Sequence, residues 1–213
     1  MRYERKYRID EISFGAVEQI VRSHPASFRK AYPDRQVNNI YFDTPGLSTF
    51  EDNVAGVSDR CKYRVRWYGE IVPKPVNANF EIKIKSNQLG TKKTMPIGDI
   101  DLKDLEALTK KVNEISSDIN LLQPFLANAY QRAYYESLDG RFRITLDHQL
   151  KFCFPNYTSI LNLNRFHQDY SGIIVELKYD ESEDENANQI MQYLPFRNTK
   201  NSKYVSGLYR VLN

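Results

Sequence analysis

Cysteine is nearly absent: the 213 residues hold two, Cys61 and Cys153, in unrelated contexts. With no CxxC spacing, a zinc ribbon and a disulfide framework are both excluded, and the two thiols are expected in or beside the core. Histidine is as scarce. His24, His148 and His167 share no ligand spacing, so they are read as surface or hydrogen-bonded residues rather than catalysts. No stretch reaches the roughly 18 apolar residues that cross a bilayer, and the start Met1-Arg2-Tyr3-Glu4 lacks the apolar run of a signal peptide. The chain is therefore expected to be soluble and cytoplasmic with no membrane segment, which leaves room for a membrane-associated partner. A Gly-rich linker, an internal repeat and a low-complexity tract are also missing, so residues 1–213 are read as one domain. Bulk charge is lacking too: 30 Lys and Arg stand against 27 Asp and Glu, a net +3. Any anion site must come from local arrangement.

What is present is alternation of period two, which gives a strand two chemically different faces. It runs through residues 2–9, 37–43, 62–68, 80–85, 129–137, 141–146 and 173–179. Asp139-Gly140 separates two of these runs as a tight hairpin turn requires. Residues 71–79, with Pro73 and Pro75, read as a long hairpin loop. Helical spacing appears in Ile12, Ala16, Val17, Ile20 and Val21, in Leu102, Leu105, Leu108 and Val112, in Ala187, Ile190, Met191 and Leu194, and in Val205, Leu208, Tyr209 and Leu212. Each helix has one apolar face and is expected to pack on the outside of a sheet. The acidic run 181–185 reads as a solvated loop.

The polar face of these strands is more specific than a solvated surface needs. Glu4 shares a face with Lys6 and Arg8, Arg64 with Arg66, and Glu81 with Lys83 and Lys85; Arg141 joins Arg143, Thr145 and Asp147, and Glu176 joins Lys178. Turned inward in a barrel, such rows would repel one another unless a multiply charged anion lay between them. Arg offers a planar fork and Lys a point charge to phosphate oxygens, while interspersed carboxylates suit a hard divalent cation that bridges those oxygens. Inward acids such as Glu81 and Glu176 disfavour a nucleic-acid partner, whose backbone they would repel. Lys200 and Lys203 flank Ser202, a candidate N-cap, and place cations at a helix N-terminus that itself favours phosphate. Trp67 falls on the apolar side of its strand, and Tyr68 on the face of Arg66. The 15 tyrosines suggest base stacking, but most lie at alternating strand positions and are explained as β-formers.

Taken in order, Arg2-Tyr3-Glu4-Arg5-Lys6-Tyr7, Ile40-Tyr41-Phe42-Asp43-Thr44, Arg64-Val65-Arg66-Trp67-Tyr68-Gly69, Glu81-Ile82-Lys83, Arg143-Ile144-Thr145-Leu146-Asp147, Glu176-Leu177-Lys178 and Ser202-Lys203-Tyr204 resemble the VTC domain of the triphosphate tunnel metalloenzymes. The resemblance implies an α+β fold, an eight-stranded antiparallel β-barrel tunnel with helices packed on the outside. It also implies a polyphosphate polymerase that moves the γ-phosphate of ATP onto a growing chain, using Mn2+ or Mg2+. By motif, Lys6, Arg64, Arg66, Lys83, Arg143, Lys178, Lys200 and Lys203 would hold phosphate, with Arg132 as a further phosphate-binding arginine and Lys85 on the same row. Arg64, Arg66, Lys200, Lys203 and Glu176 would form the catalytic set, with Glu176 the metal ligand. Hydrolytic relatives resemble Glu-x-Glu-x-Lys at the first strand, where this chain has Arg2-Tyr3-Glu4-Arg5-Lys6. The missing first acid disfavours rapid hydrolysis. A triphosphatase acting on inorganic triphosphate or nucleoside triphosphates, and a non-catalytic polyphosphate-binding sensor, remain the alternatives.

Overall fold

The computed structural model of the protein describes residues 2–70, 76–86, 89–116, 121–155, 166–199 and 201–212. Its strands are β1 (Arg2–Ile9), β2 (Arg29–Asp43), β3 (Asp59–Tyr68), β4 (Val76–Ser86), β5 (Leu89–Ile100), β6 (Gln123–Glu136), β7 (Phe142–Cys153), β8 (His167–Asp169) and β9 (Ile173–Asp180). All pair antiparallel, in the order β6-β2-β3-β4-β5-β1-β9-β7-β8. Strand β7 also pairs with β6, so the pairing runs round a barrel of eight strands with the short β8 added at the side. The seams differ in strength. Strand β1 is held to β9 over eight residue pairs but to β5 by one, Arg2 with Gly90.

Alternation sets the two sides of the wall. Outward residues of β2, β3 and β4, among them Ile40, Phe42, Val65, Trp67 and Phe80, are buried under helix α3 (Leu105–Ile115) through Leu105, Leu108 and Val112. Asp104 caps that helix by accepting from the Ala107 N–H at 2.8 Å, which fixes where it starts. On the other side, Ala133, Tyr135, Phe142 and Ile144 are covered by α1 (Phe14–Arg22) and α4 (Asp184–Gln192). Ser13 caps α1 through the Ala16 N–H. The acidic run 181–185 is a 3-10 turn, Glu181–Glu183, leading into α4, not a loop. Its carboxylates sit at the helix start, where the dipole favours them, and Asp184 pairs with Arg5 at 3.0 Å.

Two further helices depart from the sequence reading. Helix α2 (Ser48–Ala55) has no apolar stripe and is anchored by Asp43, whose carboxylate accepts from the N–H groups of Thr49 and Phe50 at 2.9 Å each. Helix α5 (Lys203–Leu212) does not lie on the outer wall. Its Tyr204 and Leu208 pack on Tyr41, Leu126, Tyr130, Phe152 and Ile174, inward-facing residues at one end of the barrel. Apolar side chains on the inside of the wall there give α5 a second core, and each fully buried one contributes roughly 2 kcal/mol. Gly207 makes the approach possible, since a Cβ at that position would fall 2.5 Å from the Phe152 ring. Residues 76–79, read from sequence as loop, belong to β4; residues 71–75 lie outside the described residues.

Candidate active site: a charged tunnel

Residues opposed in register share a face, so the pairings list the interior directly: Lys6 with Glu176, Glu4 with Lys178, Arg64 with Glu81, Lys62 with Lys83, Lys83 with Lys92, and Arg132 with Asp147. Glu176 is buried at 4% exposure and lies within 3.5 Å of Lys6, Arg132, Lys178 and Lys203. Asp147 takes a two-pronged contact from Arg132 at 2.5 and 2.6 Å and a third from Lys203 at 2.5 Å. Glu81 receives Arg64 and Lys92 at 2.6 Å, with Arg66 at 3.7 Å. Glu4 joins Lys83 at 2.6 Å to Lys6 and Lys178 at 3.6 and 3.8 Å. Lys62 reaches Ser202 Oγ at 2.8 Å. Among the described residues, nine cations, Lys6, Lys62, Arg64, Arg66, Lys83, Lys92, Arg132, Lys178 and Lys203, thus surround four carboxylates. Neutral polar groups line the tunnel as well: Arg66 donates to Asn39 Oδ1 at 2.7 Å and to the Tyr130 hydroxyl at 3.2 Å, and Asn39 donates to Asn128 at 2.7 Å.

The sequence-derived candidates divide by position. Arg64, Arg66, Lys203, Glu176, Lys6, Lys83, Arg132 and Lys178 are brought together. Lys85 follows on the inner face of β4, opposite Arg60 and Gly90. Arg143 is not in the cluster; it is more than half exposed at the rim and paired with Glu136 at 2.8 Å. Lys200 lies outside the described residues. Lys62, Lys92, Asp147, Tyr130, Asn39 and Asn128 were not among the candidates. Lys62 was recoverable, being in phase with Arg64 and Arg66, whereas Lys92 sits on a strand without an alternating apolar face. Two pieces of the motif set serve as a joint: the Tyr204 hydroxyl donates to Asp43 at 2.6 Å, tying α5, and with it Lys203, to the foot of β2. Two of the histidines are occupied elsewhere. His24 is buried with Nε2 at 2.8 Å from the Ile190 carbonyl, and His148 stacks on Phe14.

The electrostatics follow from burial set against neighbours. Burial alone would raise the Glu81 carboxyl, but Arg64, Arg66 and Lys92 outweigh it and bring it down to about 2. Burial is likewise overcome at Glu4, where Lys6, Lys83 and Lys178 hold the carboxyl at about 2 despite repulsion from Glu176. Glu176 and Asp147 are also held below the ordinary range by their cations. The lysines split: Lys203, between Asp147 and Glu176, is raised against its desolvation, but burial lowers Lys83 to about 8 and, with Lys6 and Lys83 nearby, puts Lys62 well below normal. Those two ammonium groups have too little negative charge around them. A bound polyanion supplies it, so binding raises their pKa and affinity falls as pH climbs past the unbound value. Tripolyphosphate affinity should drop about tenfold per pH unit above about 8, where Lys83 must regain its proton to bind, and the Lys62→Arg, Lys83→Arg variant should hold its affinity to pH 9. Titration calorimetry across that range checks it; equal slopes in both proteins refute it.

A family model described as the VTC domain matches residues 1–212. The chain belongs to the VTC domain family. No curated protein matches it. Among solved structures, this VTC domain is similar to one from Vibrio parahaemolyticus named "putative adenylate cyclase", with a TM-score of 0.57 at 12% identity over 96% of this chain and 97% of that one. The PH1819 protein of Pyrococcus horikoshii OT3 gives a TM-score of 0.49 at 11% identity, over 96% of this chain and 95% of that one. At 12% identity the likeness to the Vibrio protein shows the fold alone, an antiparallel sheet curled on itself. No helix of the described VTC domain is long and apolar enough to cross a membrane.

Proposed function

We propose that this VTC domain is a polyphosphate polymerase that moves the γ-phosphate of ATP onto the end of a polyphosphate chain inside the tunnel. The observation that carries the reading is the surplus of nine cations over four carboxylates on the inner wall, arranged to receive a polyanion. Arg64, Arg66 and Lys203, with Lys200, would clamp the terminal phosphates of the donor. The reaction needs alignment and charge neutralisation more than covalent help from the protein. An ionised terminal oxygen of the acceptor chain attacks the γ-phosphorus, the bond to the β-phosphate oxygen breaks, and ADP leaves. That oxygen is already deprotonated near neutral pH, so no general base is required.

A divalent cation is expected by resemblance, and Glu176 with Glu4 would hold it. Glu176 and Glu4 share Lys6 and Lys178, while among the described residues no three acidic, His or Cys side chains form a cage of their own. A magnesium-like ion is ordinarily held by one or two carboxylates with phosphate oxygens completing its shell. Bound there, it would neutralise charge on the donor's phosphate oxygens. Arg2 in place of an acid at the head of β1 favours transfer over hydrolysis, because paired acids help place a second metal and an attacking water. Incubation with ATP and manganese should yield ADP and long phosphate chains, at a rate about a hundredfold or more above that of Arg66→Ala. ADP with orthophosphate alone would make it a triphosphatase, and no product above the variant would leave a binding protein.

A further inference from the structure

At the rim opposite α5 the barrel wall opens into a cavity of about 260 Å³, lined among others by Tyr32, Tyr134, Arg132, Arg143, Thr145 and Lys178. Arg132 and Lys178 belong equally to the tunnel, so the cavity is continuous with the phosphate cluster. Its other end is aromatic. The Arg35 guanidinium lies 4.3 Å from the Tyr68 ring centre and 4.9 Å from that of Tyr134, and donates to the Tyr134 hydroxyl at 2.9 Å, which fixes that ring. Tyr32 meets Tyr134 edge-on at 5.8 Å and is 60% exposed, so it offers ring surface that the fold itself leaves uncovered.

Between the two ends sits Thr145, opposite Tyr134 on one neighbouring strand and Glu176 on the other. Its hydroxyl is buried, with the residue 6% exposed, and has no hydrogen-bond partner among the described residues. A buried hydroxyl left unmatched is costly unless something else meets it. A bare phosphate chain would use the cations of this cavity but has no need of the rings. A nucleoside uses all of it: a planar base for the exposed Tyr32 ring, whose edge-on partner Tyr134 holds it in place, a sugar for the unmatched hydroxyl, and a triphosphate leading inward past Arg132 and Lys178.

We propose that this cavity is the nucleoside subsite of the donor, with the base stacked on the exposed Tyr32 ring, which stands perpendicular to Tyr134, and the ribose hydrogen-bonded to Thr145. The inference rests on the phosphate-binding reading of the tunnel and adds that the preferred ligand carries a base. Tripolyphosphate, which has the phosphates and no base, separates the two. Calorimetry with ATP and with tripolyphosphate, each with magnesium, should find that Tyr32→Ala weakens ATP about tenfold and alters tripolyphosphate by less than about twofold. Tyr32→Phe, which keeps the ring, should bind both as the native protein does. Thr145→Val should weaken ATP selectively in the same way. An equal loss for both ligands would assign the cavity to the phosphate chain and overturn the proposal, as would no loss for either. If the native protein bound neither ligand, the phosphate reading itself would fall; if it bound tripolyphosphate as tightly as ATP, the nucleoside subsite alone would fall.

Discussion

Tripolyphosphate with magnesium should raise the thermal unfolding midpoint by about 5–10 °C once free ligand exceeds its Kd about a hundredfold. Ligand at that excess adds about 2.7 kcal/mol to the folded state, and a chain of this length converts each kcal/mol into about 2–4 °C. The physical source is the surplus of buried cations. Lys62 and Lys83 give up protons more readily than free lysine because burial strips their water and the carboxylates beside them do not offset it. A multiply charged anion removes that stress. The Arg66→Ala, Lys83→Ala variant should lose most of the shift, and sodium chloride at matched ionic strength should produce little of it in either protein. A native shift no larger than the salt control would refute a polyanion site.

The second large effect concerns the fold. Asp147→Ala should destabilise the protein by about 3–5 kcal/mol, because it leaves Arg132 and Lys203 buried with one fewer carboxylate between them. Arg132→Met should cost less, since Asp147 keeps Lys203. The double variant should be more stable than Asp147→Ala alone, which a double-mutant cycle by urea unfolding measures. The sign with pH follows from the lowered carboxyl of Asp147: its contribution is complete above the ordinary aspartate range and fades as the medium becomes more acid, so the deficit of Asp147→Ala shrinks there. If Asp147→Ala and Arg132→Met cost the same, the asymmetry attributed to excess positive charge is wrong.

Alternation made much of the barrel legible, because one face of most strands meets a helix layer and the other meets charge. Strand β5 escaped for the complementary reason. Its inward Lys92 and Thr94 and its outward Thr91 and Lys93 are all polar, so period two carries no signal there. The outer half of β2, residues 29–35, is exposed on both sides, so its Ala31, Tyr32 and Pro33 fall into no buried face either. Helix α2 is held by one capping aspartate rather than by an apolar stripe, which no periodicity shows. Helix α5 was legible as a helix, but not as one inside the barrel. Its partners Tyr41, Leu126 and Ile174 continue the same inward rows as the charged residues, and a row that turns from charged to apolar marks a depth that only the closed ring defines. Within the site, the rows of β1, β3, β4 and β9 could be read from sequence. Which cation meets which acid could not, because each pairing is set by the stagger between neighbouring strands.

The way β1 is held also bears on the order in which the protein assembles. Strand β1 takes eight partners from residues 173–180 and a single one from β5. Contacts so distant along the chain must wait for a large loop to close, which slows folding, and during synthesis β1 remains without its main neighbour until residues 173–180 have emerged. Strands β2, β3, β4 and β5, by contrast, pair each with the next and can form early. The charged row Glu4, Lys6 and Arg8 keeps one face of the waiting strand compatible with water, and its docking is the step that turns an open sheet into a ring.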